Sequence, residues 1–325
     1  MSKGENEILR ELTTKLSSDL TYTSGRIIGS MSTLPHNLAV KAFTRFIEKN
    51  LGDSSLFPGV LKVEKEAIQI IGSLLSNPNA YGYIVSGGSE ANIMALWAAR
   101  NRSRKRMPKV ILPKTAHFSF EKGVDMLQIK PVYIDVDEDY RVRVDDVERA
   151  IDNETVAIMG VAGTSDLGTV DPIPDLSKIA LQYDIHLHVD AAFGGFVIPF
   201  LKELGYPITD FDFKLPGVRS ITIDPHKMGL APIPAGSILF RDEAVVEAIG
   251  VRVPYLEGGE AVSRTVLGTR SGASACAVWA LLRYMDRDGY RRVVGRCMRL
   301  TRRVAEEVRD IDGLQLVTEP VMNIV

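Results

Sequence analysis

Between about residue 82 and residue 240, short apolar runs alternate with stretches of helical periodicity. The apolar runs at 82–85, 109–112, 131–134, 156–160, 185–189, 220–223 and 236–240 have the length of buried strands. Helices are predicted between them over 89–103, 118–127, 144–152 and 174–183. Strands alternating with helices specify βαβ units, hence an α/β fold around a mostly parallel sheet. A short charged helix (5–18), a loop rich in Ser, Gly and Thr (21–36) and helical stretches (37–50, 62–75) come before this region. After residue 250 a loop leads to two helices, 271–286 and 289–309, then strand-like runs at 314–317 and 322–325. The expected division is N-terminal helices and loop (1–55), a large α/β domain (56–255), and an interface loop, helices and the start of a small C-terminal α+β domain (256–325). The strand-like ending stops in mid-course, so that last domain reads as truncated.

Composition changes this picture little. Of 325 residues, 45% are hydrophobic and 25% charged, and the formal net charge of −2 favours neither nucleic acid nor an anionic membrane surface. Arg291, Arg292, Arg296, Arg299, Arg302 and Arg303 recur at helical spacing with apolar residues between, which predicts a solvated helix face. Cys276 and Cys297 lie in predicted helices and lack metal-ligand spacing. The opening residues are charged, without the apolar core of a signal peptide, and a cytoplasmic protein is expected.

Four segments carry candidate chemistry, each at the carboxyl end of a predicted strand, where open α/β sheets bind ligands. Ser86-Gly87-Gly88-Ser89 opens a helix, so glycine backbone, free N–H groups and a hydroxyl could cradle a phosphate. A tight turn with Ser89 as N-cap would use the same residues. His117 follows the strand 109–112 and could lie flat on a planar ring, or be structural. Strand alternation puts His186, His188, Asp190 and Ala192 on one face. The His-x-His pair has no evident third metal ligand, whereas a buried Asp190 needs a cationic partner such as a protonated pyridine nitrogen. Lys227, in Asp224-Pro225-His226-Lys227, follows an apolar strand; burial would favour its neutral, nucleophilic amine, although a surface turn would also suit a lysine.

These segments, in this order and spacing, resemble the group II pyridoxal phosphate (PLP)-dependent amino-acid decarboxylases, and among them the archaeal L-tyrosine/L-aspartate decarboxylases. The most specific stretch is Thr222-Ile-Asp-Pro-His-Lys-Met-Gly-Leu-Ala-Pro-Ile-Pro-Ala-Gly236. Supporting ones are Asn50-Leu-Gly-Asp53, Ser86 to Asn92, Ala116 to Gly123 and His188 to Gly195. The resemblance runs from about residue 8 to the last residue. It implies an aspartate aminotransferase-like (fold type I) architecture with PLP held by Lys227 as a Schiff base. It further implies that Asp190 pairs with the pyridine nitrogen, that Ala192 and His117 cover the two ring faces, and that Gly88, Ser89 and His226 contact the phosphate. Asp224 belongs to the same site. Ser165 would sit near the ring's 3-hydroxyl, and Gly268 and Thr269 would reach the phosphate of a neighbouring subunit, making a homodimer with a shared active site. The implied reaction is decarboxylation of L-tyrosine to tyramine or of L-aspartate to β-alanine, for methanofuran or coenzyme A.

Animal relatives protonate the substrate carbon with a tyrosine on a mobile loop. The matching loop here, 257–266, has none, which leaves Tyr255 and His117 as alternatives for the acid. Arg26 or His36 could meet a second substrate carboxylate. A PLP-dependent aldehyde lyase like the sphingosine-phosphate lyases would use the same Lys227 and Asp190. A cysteine desulfurase would need a loop cysteine, and a shortened chain could bind PLP without turnover.

Overall fold

The computed structural model describes residues 3–53, 55–254 and 261–325. Helices α1 (Glu5–Lys15), α2 (Asn37–Arg45) and α3 (Pro58–Leu74) precede the sheet. Then β1 (Tyr81–Val85), α4 (Gly88–Ser103), β2 (Lys109–Pro113), α5 (Ser119–Leu127), β3 (Lys130–Ile134), α6 (Val144–Arg149), β4 (Thr155–Val161), α7 (Ile173–Gln182) and β5 (His186–Asp190) alternate. They are followed by α8 (Ile198–Glu203), β6 (Val218–Ile223), β7 (Gly236–Phe240), α9 (Glu243–Glu247), β8 (Val251–Val253), β9 (Ala261–Ser263) and α10 (Gly272–Arg309). All seven predicted strands are present, with ends shifted by two residues or fewer.

The seven-stranded sheet has the order β1-β7-β6-β5-β4-β2-β3. The strands β6, β5, β4, β2 and β3 pair in parallel, and β7 runs antiparallel to both β6 and β1. Strand β1 therefore points the same way as the parallel set, and the carboxyl ends of β1, β2, β4, β5 and β6 share one edge. The buried strands β2, β4 and β5 are covered on both faces, as their unbroken apolar runs require. Among the described residues no helix is long and apolar enough to cross a membrane.

The C-terminal region corrects the sequence expectation. Neither 314–317 nor 322–325 forms a strand. Met322 is fully buried, but its burial is met by packing on the turn at Gly163 and Gly168, not by a sheet edge. The two predicted helices 271–286 and 289–309 are one run broken at Asp286, whose φ of 44° and ψ of −160° interrupt the helical path. Asp286 Oδ1 then accepts the N–H of Asp288 and restarts the helix. The six arginines of the predicted solvated face are exposed there, and both cysteines lie in the same helix. Helix α8 and the pair β8–β9 were not legible: α8 is buried along its first four residues and has no amphipathic period, and three-residue strands show no alternation.

One buried ion pair ties the periphery to the sheet. Glu64 on α3 accepts the Ile84 N–H of β1 at 2.9 Å and pairs with the Arg270 guanidinium, which also donates to the Ile84 carbonyl at 2.7 Å. Leu51 N–H donates to the Arg270 carbonyl at 2.9 Å, so the segment 267–270 is pinned beside β1. Removing one partner strands the other in a dry site. Arg270→Ala should therefore destabilise the fold by about 3–5 kcal/mol in urea unfolding. A double change, Glu64→Gln with Arg270→Met, should cost less than Arg270→Ala alone.

Candidate active site

The shared strand edge opens on a cavity of about 330 Å³. Its lining includes Gly88, Ser89, His117, Ser165, Asp190, Ala192, Asp224, His226 and Lys227, residues that the sequence scatters over 140 positions but the sheet brings together. Gly268 and Thr269 do not reach it. They are exposed and line a separate groove of about 870 Å³ that also carries Ile93, Trp97 and Met126. Arg26 is exposed and lines no part of the cavity. His36 is committed elsewhere, because its Nδ1 accepts the Leu38 N–H at 3.1 Å and caps α2. Tyr255 and residues 257–260 lie outside the described residues.

Asp190 ends β5 and is 5% exposed. Its Oδ1 accepts the Ala192 N–H at 3.0 Å and its Oδ2 accepts Asn92 Nδ2 at 2.8 Å. Two donors, one on each oxygen, fix the orientation of this buried carboxyl group. His117 begins the turn into α5. Its Nδ1 meets Ser119 Oγ at 2.9 Å and accepts the Ser119 N–H at 3.2 Å. Burial, the largest influence, holds this imidazole below the ordinary histidine range, against the pull of the Asp190 charge.

Lys227 follows β6 through a turn in which its N–H donates to the Asp224 carbonyl at 3.0 Å. Thr33, from the N-terminal loop, holds the Lys227 carbonyl at 2.7 Å. Lys227 Nζ lies 3.4 Å from Asp224 Oδ2, and His226 Nε2 lies 3.5 Å from the same oxygen. Among the described residues, the other Asp224 oxygen is buried without a hydrogen-bond partner. Burial pushes the Asp224 carboxyl up to about 6, opposed chiefly by the Lys227 charge. Burial and the neighbouring Lys227 charge bring the His226 imidazole down to about 4.

Helix α4 starts at Gly88, with Gly87 as its N-cap and therefore no side-chain cap from that residue. Ser89 is thus the second residue of the helix and not its cap, and its hydroxyl lines the cavity instead. The glycines are required by contact: a Cβ on Gly88 would lie 2.8 Å from Asp224 Oδ2, and one on Gly236 would lie 2.4 Å from the Gly87 Cα. A cradle of this kind suits a phosphate.

These residues fit PLP. The cavity holds an oriented carboxylate for a cationic ring nitrogen, an amine beside it, and an uncapped helix N-terminus with a hydroxyl and an imidazole for an anion. Sequence reading missed the polar groups that orient the site, of which Asn92 also lines the cavity. Asn92, Ser119 and Thr222 are all buried and hydrogen-bonded to one another or to Asp190 and His117. The only signal was the burial of polar residues in segments already marked for other reasons.

Comparison with known proteins agrees with this geometry. The family model described as pyridoxal-dependent decarboxylase conserved domain matches residues 4–325. An L-aspartate/L-glutamate decarboxylase from Pyrococcus horikoshii is 53% identical over 321 residues, covering 99% of this chain and 84% of that protein. An L-aspartate decarboxylase from Thermococcus kodakarensis is 53% identical over 322 residues, with the same shares covered. A sphingosine-1-phosphate lyase structure from Burkholderia pseudomallei superposes with a TM-score of 0.91 at 30% identity, covering 98% of this chain and 77% of that one. A glutamate decarboxylase from Lactobacillus brevis, at 24% identity and a TM-score of 0.88, shares the fold. With a domain model spanning nearly all of it and relatives above 50% identity, the chain belongs to the pyridoxal-dependent decarboxylase family and uses PLP as its cofactor.

Proposed function

We propose that this protein decarboxylates L-aspartate to β-alanine, with Lys227 as the cofactor lysine. The observation that carries the reading is the meeting of Lys227, Asp190, His117 and the α4 cradle in one cavity. The choice of aspartate is supported by the names of relatives 53% identical over almost the whole chain. A relative named as a probable L-tyrosine/L-aspartate decarboxylase, from Methanothermobacter thermautotrophicus, is 52% identical over 306 residues and makes tyrosine the substrate to test against.

PLP, when bound, supplies an electron sink for the pair left on the substrate carbon as carbon dioxide departs. The chain's own residues do the rest. Asp190, locked by two donors in a dry site, holds the positive charge on the ring nitrogen, where an ion pair is worth far more than in water. Ala192 and His117, both lining the cavity, would cover the two faces of the ring. The N–H groups at the start of α4, the Ser89 hydroxyl and His226 hold the phosphate, and Ser165 stands at the cavity rim. Lys227, whose amine lines the same cavity, would be the residue that holds the cofactor covalently. His117, kept neutral by burial, is the described candidate for handling the proton that replaces the carboxylate.

The site reads as half of a shared one. Gly268 and Thr269, exposed beside a partly apolar groove, would serve a second copy of the chain across a homodimer interface. Among the described lining residues Lys227 is the only lysine or arginine.

Purified protein loaded with PLP should show visible absorbance from the attached cofactor, and Lys227→Ala should remove both that absorbance and turnover; attachment surviving the change sinks the assignment. In a panel of aspartate, tyrosine, glutamate and DOPA with product detection, β-alanine should dominate, and tyramine as the main product would replace aspartate by tyrosine. A third expectation concerns pH. Because the folded carboxyl of Asp224 titrates at about 6, above its unfolded value, its contribution favours folding at acid pH and is lost as pH rises through about 6. Between pH 5 and pH 7.5 the apoprotein should therefore lose about 1–1.5 kcal/mol relative to Asp224→Asn, read by denaturant melts at each pH.

A further inference from the structure

Asn92 sits on the second turn of α4, is 1% exposed, and uses its whole side-chain amide. Its Nδ2 donates to Asp190 Oδ2 at 2.8 Å and to Ser119 Oγ at 2.9 Å. Its Oδ1 accepts from Thr222 Oγ1 at 2.8 Å and faces His188 Nε2 at 3.1 Å. The direction of every hydrogen bond in this cluster follows from Asp190. A carboxylate only accepts, so the amide nitrogen must face it and the amide oxygen must face Thr222 and His188. His188 then donates from Nε2, which leaves its Nδ1 to accept the Ser220 hydroxyl at 2.8 Å. Ser220 in turn accepts from His186 Nε2 at 2.7 Å, and the last lone pair, on His186 Nδ1, is buried with no partner among the described residues. The opposite amide orientation would set the amide oxygen against Asp190.

The same rule runs the other way into the cavity. Ser119 Oγ receives the Asn92 hydrogen and keeps its own to give to His117 Nδ1. With the Ser119 N–H on that nitrogen as well, Nδ1 carries a lone pair and the hydrogen sits on Nε2. We propose that Asn92 is the positioning residue of this site: one amide that fixes the Asp190 carboxylate and, through Ser119, the Nε2–H form of His117. The partner for the ring nitrogen and the donor on the flanking imidazole are then set by a single side chain. This rests on the assignment of Asp190 and His117 to the cofactor. No other residue type of this size offers two donors to one side and an acceptor to the other; aspartate would face Asp190 with a second carboxylate, and leucine would bond to nothing.

Asn92→Leu keeps the branched shape with somewhat more bulk and removes all of these bonds. In fluorescence titrations of the apoprotein its affinity for PLP should fall about ten- to a hundredfold, or about 1.4–2.8 kcal/mol. Nitrogen-15 spectra of the parent apoprotein should show His117 with hydrogen on Nε2 and a bare Nδ1, and in Asn92→Leu those signals should move toward a mixture of tautomers. Ser119→Ala, which breaks only the arm to His117, should move the His117 signals and leave PLP affinity close to that of the parent. A parent His117 protonated on Nδ1 would overturn the proposal, and so would Asn92→Leu with unchanged affinity and unchanged His117 signals. Should Asn92→Leu fail to fold, Thr222→Val removes one bond to the amide oxygen and should produce smaller changes of the same sign; no change in either readout refutes the idea. If Asp190→Asn binds PLP as tightly as the parent, the cofactor assignment has failed, while the histidine spectra of the apoprotein still judge the hydrogen-bond chain separately.

Discussion

A carboxylate taken out of water at the end of a central strand costs several kcal/mol unless donors meet it, and Asp190 is in that position. Much of the surrounding structure answers this need. The backbone turns after β5 so that the Ala192 N–H faces one oxygen, and α4 places Asn92 on the other. Asn92 is in turn satisfied by Thr222 on β6 and His188 on β5. A substitution among these residues leaves a buried polar group without its partner, so the polar layer behaves as one unit. The reaction proposed for the chain needs that stiffness, because a ring nitrogen held by a fixed carboxylate requires no rearrangement while charge moves.

The other half of the cavity follows from close approach of backbone. Gly88 and Gly236 admit no side chain where α4, β7 and Asp224 converge. Glu90, in the first turn of α4, accepts the Ser86 N–H at 2.8 Å with one oxygen and the Leu267 N–H at 3.2 Å with the other. One buried carboxylate thus joins the start of the cradle to the segment carrying Gly268 and Thr269. In the proposed dimer, that segment would serve the neighbouring site, and Glu90 would tie the geometry of each cradle to the arm extended toward its partner.

The alternation of apolar runs and helical periods located all seven sheet strands, since strands buried on both faces must be continuously apolar whatever packs on them. The order of Gly88, Ser89, His117, Asp190 and Lys227 behind those strands also announced one cavity, because strand ends in such a sheet share an edge. Local sequence could not place the C-terminal runs. Leu314 to Val317 and Met322 to Val325 have strand-like composition, yet Met322 is buried against the turn at Gly163 and Gly168. Composition reports that a residue will be buried and leaves open against what. The cluster of Asn92, Ser119, Thr222, Ser220, His186 and His188 was equally out of reach, since its members come from four elements and meet only when the sheet is assembled. Lys227 and Asp190 could be marked from the chain alone because their chemistry is written in residue type and position. The groups that orient them are decided by three-dimensional packing, because a hydrogen bond depends on distance and direction that no one-dimensional spacing encodes.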